Sequence, residues 1–342
     1  MDTPSTLCEI FTFENLLYAY KKAVRCKRKK KAAIAFRENL YQNIDRITRT
    51  FAKGKYPPII YHCFTIYEPK QREVRATSFE MRVIQNCFCE EYLIPFFEKF
   101  LSDRNAACRK GMGTDYARKL LKSDLEKMFV ENKSNEIYYL KLDIHKYFKS
   151  IDCEILKSLV KEIMPENEMR DYLFYTIDSF TNGGLPLGNR TSQILALFYT
   201  SCLDEIAEKY FYLTNYVHYM DDFVILSNDM DQINLLLETY NTVLKRERKL
   251  AINEKTQIGI VTQGVGFLGW TFYLQDNGTV YMKRINSKYR TSKLHMKEAM
   301  FLYDNSKIDA RNYCSRVCSI LSSLDIGKAK GLKYKLIKMQ YN

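Results

Sequence analysis

Asp221 and Asp222 stand side by side between two apolar runs, YVHYM and FVIL, which read as a hairpin with the acids at its turn. Adjacent acids in a turn are ordinarily turn formers, because their short side chains bond the local backbone. Asp143 changes the weighing. It lies at the end of IYYLKLDI, where Tyr138, Leu140, Leu142 and Ile144 alternate with Ile137, Tyr139, Lys141 and Asp143. An unpaired carboxylate at the end of a buried strand is costly. Three carboxylates converging on one sheet surface repel one another unless cations bridge them, and hard oxygen donors select Mg2+ or Mn2+. Two such ions about 3.5–4 Å apart would activate an attacking hydroxyl and hold a leaving pyrophosphate during in-line phosphoryl transfer.

Those acids need a frame. Beyond IYYLKLDI and the hairpin, QIGIV and GFLGWTFYL read as two further strand-like runs. Asp152 is placed to cap a helix in which Ile155, Leu156, Leu159, Val160 and Ile163 share one face. Gly183-Gly184 breaks the chain before a helix over about 190–209, and a long amphipathic helix is expected over about 230–249. Upstream, residues 12–53 read as helices closed by Pro57-Pro58, IIYHCFTIYEP has strand composition, and 79–100 return to a helical pattern interrupted at Pro95. Glu131–Glu136 reads as a polar loop. Strand–helix alternation with a central hairpin predicts an α+β sheet lobe with helical flanks.

Composition narrows the partners. The 342 residues carry 53 Lys+Arg against 40 Asp+Glu, a formal charge of +13. Eight of the eleven residues from Lys21 to Lys31 are basic, and from Asp276 onward 14 basic residues face 5 acidic ones. Such charge suits a polyanion, although a solvated helix face is the plainer reading of either run. Tyr281, Tyr289, Phe301, Tyr303, Tyr313, Tyr334 and Tyr341 interleave the second run with stacking surfaces, which favours nucleic acid. A hydrophobic content of 46% argues against disorder, and no apolar run approaches the ~18–20 residues of a membrane span. The opening MDTPSTLCEIFTFENLL has an acid where a secretory signal has positive charge, so a cytoplasmic location is expected. Neither Cys87/Cys89 nor Cys314/Cys318 has metal-site spacing, and the ten cysteines are expected to be ordinary buried thiols.

KLDIHKYFKSID, GLPLGNRTSQ, YVHYMDDF, NEKTQ and FLGWTF follow one another in the order found in reverse transcriptases. They are preceded by IYEPKQREV and FEMRVIQN, which resemble the fingers motifs of bacterial members. Over residues 66–272 the chain therefore resembles a bacterial reverse transcriptase of the group II intron-like lineage, with a pattern similar to those of diversity-generating retroelements and of anti-phage defence systems. The resemblance implies an RNA-directed DNA polymerase with an α+β right-hand fold: fingers, a palm with an RRM-like antiparallel sheet, and a helical thumb. It divides the chain into a basic helical N-terminal extension (1–55), fingers (56–136), a palm (137–275, with a fingers insertion at about 165–190) and a basic helical thumb (276–342). It further implies two Mg2+ ions, or Mn2+, together with dNTPs and an RNA template with its primer or an RNA–DNA hybrid. A structured non-coding RNA and an accessory protein are further partners; a membrane is not.

Carried over by motif, Asp143 matches the first metal-binding acid, with the Ile144 backbone beside it, and Asp221-Asp222 match the pair of the YxDD turn. Lys255 matches a lysine proposed to protonate the pyrophosphate; a plain surface lysine is the other reading. Phe148 matches the aromatic gate that clashes with a ribose 2′-OH, and core packing is its alternative. Leu187, Gly188, Ser192 and Gln193 belong to the segment lying against the templating pair and incoming nucleotide. Lys70, Arg72 and Arg82 match basic fingers residues that hold the triphosphate, for which bidentate Arg is well suited. Phe267, Leu268, Gly269 and Trp270 match the primer grip, though Trp270, the one Trp, fits a core equally well. Lys27, Arg28, Lys29 and Lys30 are expected to bind structured RNA outside the catalytic cleft, with an acidic protein surface as the alternative partner.

The departures inform as well. LGNRTSQ stands where retroviral and intron-encoded enzymes usually have QGxxxSP, so apolar Leu187 replaces a polar contact, which relaxes selection for correct pairing. Met81 stands where relatives often have Asp. No ribonuclease H acid cluster, HNH motif or CxxC endonuclease follows residue 272, so a stand-alone polymerase is expected. Its rivals are another palm nucleotidyltransferase, template-independent or making RNA, and a catalytically silent maturase-like RNA-binding protein. Phe148 speaks against RNA synthesis, and the three acids speak against silence.

Overall fold

The computed structural model describes residues 4–25, 27–66, 72–180 and 183–322. Four helices open the chain: α1 (Leu7–Ile10), α2 (Phe13–Ala23), α3 (Lys31–Glu38) and α4 (Leu40–Ala52). Strands β1 (Tyr61–Ile66) and β2 (Arg72–Thr77) pair antiparallel. Next come α5 (Phe79–Phe88), α6 (Ile94–Phe97), α7 (Thr114–Asn132), β3 (Tyr138–Asp143), α8 (Tyr147–Ser150), α9 (Cys153–Ile163), α10 (Glu168–Asp178), α11 (Arg190–Tyr199) and α12 (Ser201–Glu205). The hairpin of β4 (Tyr216–Tyr219) and β5 (Asp222–Ser227) leads to α13 (Met230–Glu247) and β6 (Gln257–Ile260). A meander of β7 (Val265–Phe267), β8 (Trp270–Leu274) and β9 (Val280–Arg284) precedes α14 (Asn286–Asp304) and α15 (Ala310–Ser322).

Two compact units form. The first comprises Met1–Lys110, Ile144–Tyr212 and Glu238–Asn253. Its helices begin where side chains satisfy orphan backbone donors: Thr12 accepts from the Asn15 N–H, Ser78 from Met81, and Asp152 from Glu154 and Ile155. On α4, Ile44, Ile47 and Phe51 fall on one face and are buried. The core is aromatic. Phe11 stacks on Phe51 with ring centroids 3.8 Å apart, and both meet the edge of Tyr172, which also packs on Phe88 at 4.9 Å. The N-terminal helices thus share one core with α5 and α10.

The second unit comprises Gly111–Asp143, Leu213–Leu237 and Glu254–Asn342. Its antiparallel sheet has the order β4-β5-β3-β6, and a second sheet runs β7-β8-β9. Leu140 and Leu142 on β3 and Phe223, Val224, Ile225 and Leu226 on β5 are buried, so the central strands carry the core. Helix α7 packs on β4, β8 and β9 through Ala117, Leu121, Leu125 and Met128.

Several expectations are corrected. GFLGWTFYL is a hairpin, because Leu268 and Gly269 both take positive φ and turn the chain back. The run over 190–209 breaks at Thr200, and Pro95 follows a π-helical turn at Cys89–Leu93 while the chain stays helical. Residues 280–284, expected within a helical segment, add a strand to β8. Among nine described cysteines, all free thiols, only Cys87 and Cys89 are buried, whereas Cys8, Cys63, Cys108, Cys314 and Cys318 are exposed. Burial pushes the Cys89 thiol up to about 12. No described helix is long and apolar enough to cross a membrane. Lys70, Tyr334 and Tyr341 lie outside the described residues, as does the side chain of Arg72.

Candidate active site

The acids meet through strand register. Asp143, the last residue of β3, is paired directly with Asp222, the first of β5, and Asp222 is paired in turn with Tyr219 at the end of β4. Directly opposed residues of an antiparallel pair project from the same face, with β-carbons about 4.5–5.5 Å apart. Asp221 adjoins Asp222 in a loop of only two residues, Met220–Asp221. All three acids are half-buried at the sheet's end.

That turn is held, not merely permitted. Met220 has φ 59°, a region that side-chain-bearing residues seldom occupy. His218, fully buried and stacked on Phe223 at 3.5 Å, bonds the Met220 carbonyl through Nε2 at 2.8 Å. Since a carbonyl only accepts, Nε2 carries the proton. Thr256 steadies the other acid: the Asp143 N–H donates to its hydroxyl at 3.2 Å. Neither His218 nor Thr256 was singled out from sequence, although both lie inside motifs that were, YVHYMDDF and NEKTQ. Exposed Lys255 precedes Thr256, which keeps it near the Asp143 strand end.

Among the described residues, no three His, Cys, Asp or Glu side chains are already gathered at metal-holding distances. The donor set nonetheless suits a hard divalent cation, because register places two carboxylates on one face and the turn adds a third. Ile144, just past Asp143, is buried and forms a single antiparallel bridge with Ile252.

Phe148 in α8 is half-buried, edge-on to Tyr147. Its carbonyl accepts from the Leu185 N–H at 2.7 Å. A β-carbon on Gly184 would lie 2.5 Å from the Phe148 carbonyl oxygen, so this contact explains the glycine that breaks the chain there. Leu187 is tied to β2, its carbonyl accepting from the Arg75 N–H at 3.2 Å. Gly188, Gln193 and Arg82 line one cavity of about 460 Å3, joined by Lys22, Arg25 and Lys27 from the N-terminal basic run. Ser192 is wholly buried in α11, and its hydroxyl has no hydrogen-bond partner among the described residues. Arg28, Lys29 and Lys30 are exposed beside Lys27.

Phe267 pairs with Trp270 across the two-residue turn Leu268–Gly269, where φ is 44° and 85°. Both aromatic rings are buried, with the Arg284 guanidinium 6.0 Å from the indole ring. The surface of this hairpin end is therefore Leu268 and Gly269, and its aromatics are the support.

The sequence profile described as "Reverse transcriptase (RNA-dependent DNA polymerase)" matches residues 69–272. No curated protein sequence matches the chain. Among solved structures, apo telomerase from Candida tropicalis superposes with a TM-score of 0.52 at 12% identity, over 89% of this chain and 62% of that one. Telomerase from Candida albicans in complex with a fragment of telomeric RNA gives 0.48 at 13% identity, over 86% and 60%. A C. tropicalis telomerase truncated of its C-terminal domain gives 0.47 at 12%, over 70% and 59%. The chain spans about three fifths of the length of these telomerases. The likeness above 0.5 shows the fold alone, a right-hand polymerase with antiparallel sheets. The profile's span takes in the four-stranded sheet, its acids and both tight turns, and on that ground the chain belongs to the reverse transcriptase (RNA-dependent DNA polymerase) family.

Proposed function

We propose that this protein extends a primer with deoxynucleotides by copying an RNA template, with Asp143, Asp221 and Asp222 holding two divalent cations, Mg2+ or Mn2+. The register of Asp143 against Asp222, with Asp221 in the adjoining turn, carries this reading. Like charges directly opposed on one face weaken a strand pair, and a bridging cation removes that penalty. When bound, the ions supply activation of the primer hydroxyl and charge neutralisation on the departing pyrophosphate. The Ile144 carbonyl adds a backbone oxygen to the acids, and Lys255 gives a proton to the pyrophosphate. Gly188 and Gln193 serve the nucleotides being paired, Leu187 leaves that contact apolar, and Lys70, Arg72 and Arg82 hold the triphosphate. The turn Leu268–Gly269, backed by Phe267 and Trp270, bears on the primer end. The divisions into N-terminal extension, fingers, palm and thumb follow the same reading.

The lineage resembled supports a cytoplasmic role in a diversity-generating retroelement or in anti-phage defence, with a structured RNA and an accessory protein as partners. Primer extension on an RNA template, with dNTPs and rNTPs offered separately, tests the chemistry. Template-dependent DNA synthesis is expected, and shortening Phe148 to Ala or Val should admit ribonucleotides. RNA products from the unmodified chain, or extension without template, would overturn the reading. An unchanged dNTP/rNTP ratio in a folded Phe148 variant would return that ring to the core.

A further inference from the structure

The match to the family begins at residue 69, yet a helix that precedes it reaches the segment placed against the nucleotides. Lys22, near the end of α2, pairs with Glu90 at 2.7 Å, and the same carboxylate pairs with Arg190, the first residue of α11. Glu90 stands in the π-helical turn Cys89–Leu93. Such a turn widens the helix and re-aims its side chains, and it recurs at functional sites. Here two consecutive residues of the turn meet two of α11: Cys89 Sγ lies 3.6 Å from the Thr191 hydroxyl, beside the Glu90–Arg190 pair. Lys22 is steadied in turn by the Tyr18 ring, 4.6 Å from its ammonium.

The network is partly desolvated, with the Glu90 side chain 22% exposed. Burial alone would raise its carboxyl, but the hydrogen bond from Lys22 and the Arg190 charge outweigh that and hold it below the usual carboxylate range. Two cations on one part-buried carboxylate restrain more than an exposed pair does. The segment's own side chains add little: Asn189 caps α11 without a side-chain bond, and the Ser192 hydroxyl is unbonded among the described residues. On the other side, the Leu187 carbonyl accepts from the Arg75 N–H, and a β-carbon on Gly188 would come within 3.2 Å of Val74. Residues 187–191 are thus clamped between β2 and the π-helical turn.

We infer that Glu90 is a positioning residue for residues 187–193 and that Lys22 acts through it, so that the helices preceding the family match govern how firmly that segment is held. This rests on the polymerase reading and deepens it. Removing the Glu90 charge leaves Lys22 and Arg190 without their common partner, and like charges at close range repel. Arg190 then leaves the π-helical turn and the segment loosens. Asp143, Asp221 and Asp222 belong to the other compact unit and keep their register.

The test pairs hydrogen exchange with single-nucleotide kinetics on an RNA template, in Glu90→Gln, Glu90→Asp, Lys22→Met and Lys22→Met/Glu90→Gln chains. In Glu90→Gln, backbone amides over residues 187–193 should exchange about tenfold faster, as loss of one charge-assisted bond predicts. The KM for the correct deoxynucleotide should rise about fivefold with kcat little changed, and preference for the correct over a mismatched nucleotide should fall. Glu90→Asp, which keeps the charge, should recover part of each effect. Lys22→Met should act in the same direction and add nothing in the Glu90→Gln chain, the non-additivity expected of one network. Thermal melting gives the folded fraction of each variant. Unchanged exchange over residues 187–193 in Glu90→Gln would overturn the inference. So would a Lys22→Met effect that is absent, or equal in size with and without Glu90. A kcat loss that follows the folded fraction, with KM unchanged, would also overturn it and mark the network as stabilising only. Exchange needs no catalysis, so a chain that fails to extend a primer removes the polymerase reading while exchange still decides this one.

Discussion

At the scale of single residues, the site depends on groups that carry no metal-binding chemistry of their own. His218 holds the Met220 carbonyl in a turn whose φ of 59° is unfavourable for a side-chain-bearing residue. Releasing that bond lets the turn relax and carries Asp221 and Asp222 with it. His218→Ala is expected to lower the extension rate by roughly ten- to a hundred-fold, the scale of an ångström-sized misplacement. His218→Gln, which keeps a donor at similar reach, should recover most of it. Rates measured at matched folded fractions check this, because a merely structural loss would follow stability and ignore the donor. The acids themselves were legible from type and flanking pattern. His218 was not, because a histidine between two strand residues gives no sign of which backbone carbonyl it will meet.

At the scale of elements, the sheet was readable and its supports less so. Alternation in IYYLKLDI and the runs around the acid pair place β3, β4 and β5 correctly, since one buried face imposes a period of two. Helix α7 escaped because its buried Ala117, Leu121, Leu125 and Met128 are sparse among charged residues. The cap on α9 was legible, and the structure adds that Asp152 also pairs with Lys249 at 2.8 Å. The hydrogen bond from Lys249, aided by the Ile155 and Glu154 N–H groups, holds the Asp152 carboxyl below the ordinary range despite a smaller opposing effect of burial. A depressed carboxylate stabilises the fold above its unfolded pKa, about 4, and that contribution fades as pH falls through the folded value. Asp152→Ala should therefore cost about 1 kcal/mol at neutral pH. The difference in melting temperature from the unmodified chain should narrow in acid, and a gap that does not change with pH would remove the charge from the account.

At the scale of the whole molecule, a formal charge of +13 makes association with nucleic acid strongly dependent on salt. Composition gave that sign but not its distribution. The structure puts Lys27 on a cavity and leaves Arg28, Lys29 and Lys30 exposed beside it. Replacing all four with Ser should weaken RNA binding and flatten its salt slope by up to roughly four contacts, at about 0.7–0.9 each. Binding isotherms from low to moderate salt check this, and an unchanged slope would mean that the run is a solvated surface.

The claim that the register-paired acids drive template copying is tested most directly by primer extension on RNA with Asp143→Asn and Asp222→Asn chains, in Mg2+ and in Mn2+, alongside RNA binding by the same preparations. Each variant should lose nucleotide addition in both metals while binding RNA at close to the unmodified affinity, because the carboxylates leave and the basic surfaces stay. Normal extension by either variant would contradict the assignment.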